Sequence, residues 1–484
     1  MDYPREFRTW GHEIIDQLAD YLDNIESKKL FPDVSPEKLF HLFDEELPQL
    51  SEEPSIVMKE LEQKLFPYCI HVGHPGYFGL ITPSPNPVGI LADLIAAAYN
   101  QNVGAYSIGP SAVAMERQTI RWLCEMAGYG HESGGNLTSG GMMANFTGMK
   151  LARDWSSDDD IQQHGITKKM TAYTSEERHV SVDKSADAVG IGRKNLKIIT
   201  TDDKLSIRLD ILEAAIKEDK ANGCKPFCIV AMGGTTNTGS IDDLFALRKI
   251  ADHEKMWLHT DAAYGGGMLV SKKNPGVLKG LELADSITID PHKWFYAPLD
   301  AGAILVKDEK RLTASFGMQP SYLTDQMDKK KERYNYFVHS FEQSRRFRSL
   351  KVWMSFKRYG VKQIGEWVDT NCDQAMHLYD LFVNTKNFIP ACKPLMSAVC
   401  VRFYEPALTE EYLHELHIEV ARKVEESGKF WFGTTQIKDH TWFRINPVNF
   451  RTRMEHIDDL FAFLQRECFA YKEKTKKDQP AINR

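Results

Sequence analysis

The chain has 484 residues, of which 42% are hydrophobic and 26% charged, a composition typical of a globular protein with a large core. Its formal net charge of −7 argues against nucleic-acid binding, because phosphate contacts require concentrated lysine and arginine. Eight cysteines are too few for a disulfide scaffold, and no apolar run is long enough to span a membrane. We therefore expect a cytoplasmic protein with reduced thiols, no membrane partner and no bound metal.

The first 85 residues predict a helical N-terminal segment. Apolar side chains recur at helical spacing between residues 7 and 25, which indicates an amphipathic helix whose apolar face needs a partner. The stretch "GHPGYFGLITPSPNP" at 73–87 holds too much proline and glycine for a helix or a central strand. It therefore predicts an extended loop that lines a ligand or an interface.

Residues 86–365 predict a large α/β domain. Six β-rich runs alternate with helical patterns, and they read "MTAYTS", "LKIITT", "FCIVAM", "MWLHTD", "SITID" and "GAILV". This alternation predicts βαβ units and a mostly parallel sheet that is buried on both faces.

Residues 366–484 predict a smaller α+β domain, with a strand at 397–403 and a helix at 409–427. His414 and His417 on that helix are too close together for the common zinc-binding motif, so we expect them on its exposed face.

Polar residues follow several of the predicted strands, where open parallel sheets bind their ligands. Gly140 and Gly141 precede a helix expected to start near Met142, and such a helix start can bind phosphate. Asp261 follows an apolar strand, and a shielded carboxylate needs a cationic partner. Lys293 follows the run "SITID" and a proline, among aromatic residues.

Each feature alone has a simpler structural explanation. Lys293 could lay its stem on Trp294 and keep its amine in water, and a glycine pair before a helix is common. Together they fit pyridoxal phosphate, whose aldehyde bonds to a lysine, whose ring nitrogen needs a carboxylate and whose phosphate needs a helix start. His179 could supply a flat surface over the ring.

Several strings resemble the pyridoxal-phosphate-dependent group II decarboxylases, in particular the branch that acts on aromatic L-amino acids. They include "GHPGYFG", "TSGGMMAN", "WLHTDAAYGG", "DPHKW", "PSYL" and "RRFRSLKVW", and the resemblance covers nearly the whole chain. It implies an α/β fold of fold-type I with a mostly parallel, seven-stranded type of sheet, a small C-terminal domain and an N-terminal helical arm. It also implies a homodimer with shared active sites.

The resemblance also implies roles for individual residues. Lys293 would bind the cofactor covalently, Asp261 would pair with its ring nitrogen and His179 would stack on its ring. The remaining cofactor residues would be Thr236 and Ala263 at the ring, and Gly141, Met142, His292 and Asp290 near the phosphate or the lysine. Tyr322, in a polar loop, would protonate the substrate's Cα after CO2 leaves.

The substrate side of the predicted site departs from the family pattern. Leu80, Ile81, Thr82 and Pro83 stand where the aromatic branch usually has aromatic residues and a threonine, and Met142 lacks the hydroxyl of many relatives. Ser344 matches a position that tunes indolic against phenolic substrates, and serine favours a phenol.

The resulting prediction is decarboxylation of an aromatic L-amino acid, such as tyrosine, DOPA, phenylalanine or tryptophan. The alternative is an acidic or other non-aromatic L-amino acid, of the glutamate or aspartate type; "RRFRSLKVW" argues against an acidic substrate. Oxidative deamination is disfavoured by Tyr322, transamination is a possible side reaction, and an inactive scaffold is disfavoured by the intact set of site residues.

Overall fold

The computed structural model describes residues 3–157, 160–318 and 333–478. The chain divides into two compact units. The first contains residues up to Leu80, Gln374–Lys393 and residues from Val399 onward, and the second contains Ile81–Asp373 and Pro394–Ala398. The predicted N-terminal segment and most of the predicted C-terminal domain therefore belong to one unit.

The helices of the described residues are α1 (Tyr3–Asp23), α2 (Pro36–Phe43), α3 (Pro54–Lys64), α4 (Pro87–Tyr99), α5 (Pro110–Met126), α6 (Gly141–Ser156), α7 (Ile161–His164), α8 (Val180–Ala188), α9 (Leu209–Ala221), α10 (Leu244–Glu254), α11 (Lys310–Phe316), α12 (Ser349–Val383, interrupted at Gly360), α13 (Glu410–Ser427) and α14 (Met454–Asp478). The strands are β1 (Gly134–Thr138), β2 (Met170–Ser175), β3 (Leu196–Ile199), β4 (Lys225–Met232), β5 (Trp257–Asp261), β6 (Ser286–Ile289), β7 (Gly302–Val306), β8 (Phe388–Pro390), β9 (Val399–Phe403), β10 (Gly433–Ile437) and β11 (His440–Ile445).

The second unit contains a seven-stranded sheet in the order β1-β7-β6-β5-β4-β2-β3. Strand β7 is antiparallel to both of its neighbours, and the other adjacent pairs are parallel. Every residue of β1, β2, β5, β6 and β7 is buried, as expected for a sheet covered by helices on both faces. The predicted α/β fold of fold-type I is confirmed.

The first unit contains an antiparallel four-stranded sheet in the order β10-β11-β9-β8. Its core combines residues of this sheet with the apolar faces of α13 and α14, including Val401, Leu416 and Leu460. Apolar residues at a spacing of three and four along α13 form the buried stripe of an amphipathic helix.

His417 lies on that buried stripe, so its predicted exposure is wrong, whereas His414 is exposed. The His417 side chain is fully buried. Its Nε2 accepts a hydrogen bond of 3.0 Å from the backbone N–H of Phe403, and its Nδ1 donates to the carbonyl of Leu413. Burial lowers the pKa of His417 to about 4, so the imidazole is neutral at pH 7.

No helix within the described ranges is both long and apolar enough to cross a membrane. All eight cysteines are free thiols.

Candidate active site

The site lies at the carboxyl ends of two neighbouring parallel strands. Asp261 is the last residue of β5, and Lys293 follows the end of β6. Because Asp261 is in register with Thr288 of β6, both strands end at the same edge of the sheet. That edge is where open α/β sheets bind ligands.

Lys293 belongs to a closely packed segment. The adjacent Trp294 is buried, stacks on Tyr264 with ring centroids 5.0 Å apart, and donates a 3.1 Å hydrogen bond from Nε1 to Asn371. The Nζ of Lys293 lies 3.0 Å from Oδ2 of Asp290, and 20% of the lysine side chain is exposed. The lysine is thus directed towards a buried carboxylate, which argues against the simpler explanation of an amine in open solvent.

The carboxylate of Asp290 is shared between Lys293 and His292. Its Oδ2 lies 3.0 Å from Lys293 Nζ and 3.5 Å from Nε2 of His292. Burial raises the pKa of Asp290, but the charge of Lys293 and the contact with His292 outweigh that effect and hold the pKa below its ordinary value. The other oxygen, Oδ1, is buried and has no hydrogen-bond partner among the described residues.

Asp261 is buried but is held by neutral groups. Its Oδ2 accepts a 2.7 Å hydrogen bond from Nδ2 of Asn145, and its Oδ1 accepts one of 3.1 Å from the backbone N–H of Ala263. Within the described part of the chain, no lysine or arginine forms an ion pair with it. A buried carboxylate is costly without a cation, so this one is suited to a positively charged group of a ligand.

His179 is the N-cap residue of α8, directly after the segment that follows β2. Its Nδ1 accepts a 3.2 Å hydrogen bond from the backbone N–H of Ser181 and lies 2.9 Å from the Ser181 hydroxyl. Burial lowers the pKa of His179 below its ordinary value. A neutral imidazole held in this way provides a flat surface for a ring.

These residues enclose a cavity of about 200 Å³. Gly141, the first residue of α6, lines it, and a Cβ at this position would lie 2.8 Å from Oδ2 of Asp290. Glycine thus brings the start of α6 close to the carboxylate, and backbone N–H groups at a helix start bind anions. The cavity is lined by Gly141, Met142, Asn145, His179, Ser181, Met232, Gly234, Thr235, Thr236, Asp261, Ala263, Tyr264, Asp290 and Lys293.

The structure does not bring every predicted site residue to this cavity. His292 contacts Asp290 from outside the lining, and Ile81, Thr82, Pro83 and Ser344 are absent from the lining. Leu80 belongs to the first unit and is 57% exposed. Tyr322 lies outside the described residues.

Two residues that line the cavity were not predicted from the sequence. Asn145 contacts Asp261, and Ser181 contacts His179. The only signal for Asn145 was an amide in the interior of an otherwise apolar helix stretch, where asparagine is unfavourable unless its side chain is satisfied.

The arrangement fits pyridoxal phosphate: an amine for its aldehyde, a buried carboxylate without a cation for its protonated ring nitrogen, and a glycine-lined helix start for its phosphate. The fold and this site define the class of α/β enzymes that use this cofactor.

Comparison with known proteins identifies the family. The family described as the pyridoxal-dependent decarboxylase conserved domain matches residues 36–404. The chain is 31% identical to aromatic-L-amino-acid decarboxylase of Bacillus atrophaeus, with 93% of each chain covered. It is 28% identical to tyrosine decarboxylase 4 of Petroselinum crispum, with 96% of this chain and 93% of the relative covered.

The crystal structure of Oryza sativa TDC with PLP and tryptamine has the same fold. It superposes with a TM-score of 0.90 at 24% identity, covering 96% of this chain and 98% of that chain. The chain therefore belongs to the pyridoxal-dependent decarboxylase family: it is an amino-acid decarboxylase that uses pyridoxal 5'-phosphate. The predicted family, cofactor and enzyme class are confirmed.

Proposed function

We propose that the substrate is an aromatic L-amino acid and that the products are the corresponding amine and CO2. The names of the relatives support this substrate class. The observation that carries the choice against an acidic substrate is the pairing of the cations in the segment "RRFRSLKVW".

Those cations are neutralised within the second unit. Arg345 is fully buried and pairs with Glu116 at 2.6 Å, and Arg348 pairs with Asp300 at 2.9 Å. The remaining two cations, Arg346 and Lys351, both pair with Asp93. Recruiting the buried Arg345 to an acidic substrate would leave the buried carboxylate of Glu116 without its partner, which is strongly unfavourable.

We assign the cofactor-binding roles to the cavity residues. The bound cofactor takes up the electron pair that remains on the substrate's Cα when CO2 leaves. Lys293 would hold the cofactor's aldehyde carbon, Asp261 its ring nitrogen, and the neutral imidazole of His179 its ring face. The residues assigned to the rest of the cofactor are Thr236, Ala263, Gly141, Met142, His292 and Asp290, and Tyr322 is assigned to protonation of Cα.

We further propose a cytoplasmic homodimer in which each site uses residues of both subunits. Ser344 is exposed and does not line the cavity of its own chain, which supports a role in the site of a second copy. We extend that role to the segment Leu80, Ile81, Thr82 and Pro83. The eight free thiols support a reducing compartment.

The test is amine and CO2 formation by the purified, cofactor-loaded protein with single L-amino acids. Tyrosine, DOPA, phenylalanine and tryptophan should give amine and CO2 in equal amounts, whereas glutamate and aspartate should give neither. Turnover of glutamate or aspartate in preference to the aromatic substrates would overturn the proposal.

A further inference from the structure

Asn145 makes all the hydrogen bonds that its side chain allows, and each of them is to another side chain. Its Nδ2 donates to Oδ2 of Asp261 at 2.7 Å and to Oγ of Ser181 at 2.8 Å. Its Oδ1 accepts from Oγ1 of Thr288 at 2.7 Å and faces Nε2 of His259 at 3.0 Å. With 1% of its surface exposed, this amide is held in one orientation, because reversing it would bring donors against donors.

His259 contacts the amide oxygen of Asn145 and so helps to fix that orientation. It is fully buried in the middle of β5, and burial lowers its pKa to about 4. Its Nδ1 lies 2.8 Å from the hydroxyl of Ser286, which accepts a 2.9 Å hydrogen bond from Nε1 of Trp257. Because the amide oxygen of Asn145 only accepts, the neutral ring places its proton on Nε2, and Nδ1 can accept from the Ser286 hydroxyl.

Helix α6 leaves space for the imidazole ring of His259 at Gly148. A Cβ on Gly148 would lie 2.5 Å from both Nδ1 and Cε1 of His259, so only glycine lets the imidazole lie against the helix. Asn145 and Gly148 are thus neighbours on one face of α6, one binding His259 and the other making room for it.

We propose that Asn145, oriented by His259, is a positioning residue that holds the Asp261 carboxylate for the cofactor's ring nitrogen. Asp261 has a backbone contact through Oδ1, so the Asn145 contact determines where Oδ2 points. The proposal rests on the proposed role of Asp261. It concerns the fit of the site to the ring nitrogen, and not the folding of the sheet.

The test measures the preference of the site for a ligand that has the ring nitrogen over one that lacks it. Full-length holoenzyme is equilibrated with a mixture of pyridoxal phosphate and its analogue with carbon in place of the ring nitrogen, and the bound ratio is determined by chromatography after denaturation. Asn145→Ala should reduce the preference for pyridoxal phosphate by about 10- to 100-fold, the effect of a hydrogen bond to a charged group. Thr147→Ala should leave the preference unchanged: this threonine is on the same helix, and its hydroxyl donates to the carbonyl of Met143.

Two variants of His259 separate positioning from packing. His259→Gln retains a donor towards Asn145 and should keep most of the preference, whereas His259→Phe should lose it to nearly the extent of Asn145→Ala. A bound ratio in Asn145→Ala equal to that of the wild type would overturn the inference. Asp261→Asn is the reference: if it leaves the preference unchanged, the proposed role of Asp261 fails as well.

Discussion

At the scale of single residues, the two charged groups of the site are held in different ways. Lys293 lies beside the carboxylate of Asp290, whereas Asp261 receives hydrogen bonds from neutral donors. Neutral donors position a carboxylate without neutralising it. Two hydrogen bonds from neutral donors thus fix the Asp261 carboxylate, and the amine of Lys293 is held at the cavity by Asp290.

The first prediction concerns Lys293. Borohydride reduction of the holoenzyme should fix the cofactor to the peptide that contains Lys293, and Lys293→Ala should carry no such label. Decarboxylation by Lys293→Ala should fall at least about 10²-fold, the lower range for a group that takes part in the chemistry. Peptide mass spectrometry provides the measurement, and Lys272→Ala, an exposed lysine, is the control. A label on any other lysine in the wild-type protein would contradict the assignment.

The second prediction concerns the buried His417. Its pKa of about 4 in the folded chain lies below the ordinary value near 6.5. Between these two values the unfolded chain binds a proton that the folded chain does not, so the free energy of unfolding should fall as the pH is lowered from about 6.5 to about 4. The loss due to this one group should be on the order of 3 kcal/mol.

Urea unfolding at several pH values measures this contribution. The fall in stability across this pH range should be smaller for His417→Gln than for the wild type, because glutamine can accept from Phe403 N–H without titrating. His414→Gln, on the exposed face of the same helix, should behave as the wild type does. Parallel pH profiles for His417→Gln and the wild type would show that the buried imidazole does not titrate in this range.

At the scale of elements, periodicity predicted most of the large sheet. Strands β2 and β7 coincide with the predicted runs 170–175 and 302–306. Strand β1 was missed because its residues, "GGNLT", lack the β-branched run that marks a strand. Its pairing with β7 comes from tertiary contacts, which no local pattern contains.

The residues of the candidate site were predictable from the sequence only in part. Lys293, Asp261 and His179 stand at element boundaries, where polar residues are visible against apolar neighbours. Asn145 and His259 lie inside a helix and a strand, and their contacts depend on how α6 packs on β5. The buried position of His417 could have been deduced, since it falls at helical spacing from Leu413.

The third prediction concerns the glycine run that follows β5. A Cβ on Gly265 would lie 1.8 Å from the carbonyl oxygen of Gly233, and backbone cannot move aside as a side chain can. Gly265→Ala should therefore destabilise the second unit by about 1–3 kcal/mol or more, as overpacking does. The measurement is the shift of the urea midpoint. Gly130→Ala is the matched control because a Cβ there would have no atom of the described residues within 4 Å, and an equal effect of both substitutions would contradict the steric argument.

At the scale of the whole molecule, each unit exposes apolar side chains that a monomer would leave in water. In the second unit, Leu91, Leu94 and Ile95 of α4 are 45%, 49% and 41% exposed. In the first unit, Phe7, Ile15 and Leu18 of α1 are also exposed. Apolar residues clustered on one helix face are typical of a surface that another chain covers, which agrees with the proposed homodimer.

The fourth prediction tests whether the two subunits share their sites. Co-expression of Lys293→Ala and Ser344→Trp chains with different tags yields purified mixed dimers. If Ser344 serves the site of the other subunit, one site of each mixed dimer carries both defects and the other carries none. The mixed dimer should then have about half the activity of the wild-type dimer, because a two-fold symmetric assembly has two equivalent sites.

Dimers of either variant alone should be inactive, and mixed dimers of Lys293→Ala with wild-type chains should also have half of the wild-type activity. If Ser344 instead serves its own chain, both sites of the mixed dimer are defective, and the absence of recovered activity would refute shared sites at this residue.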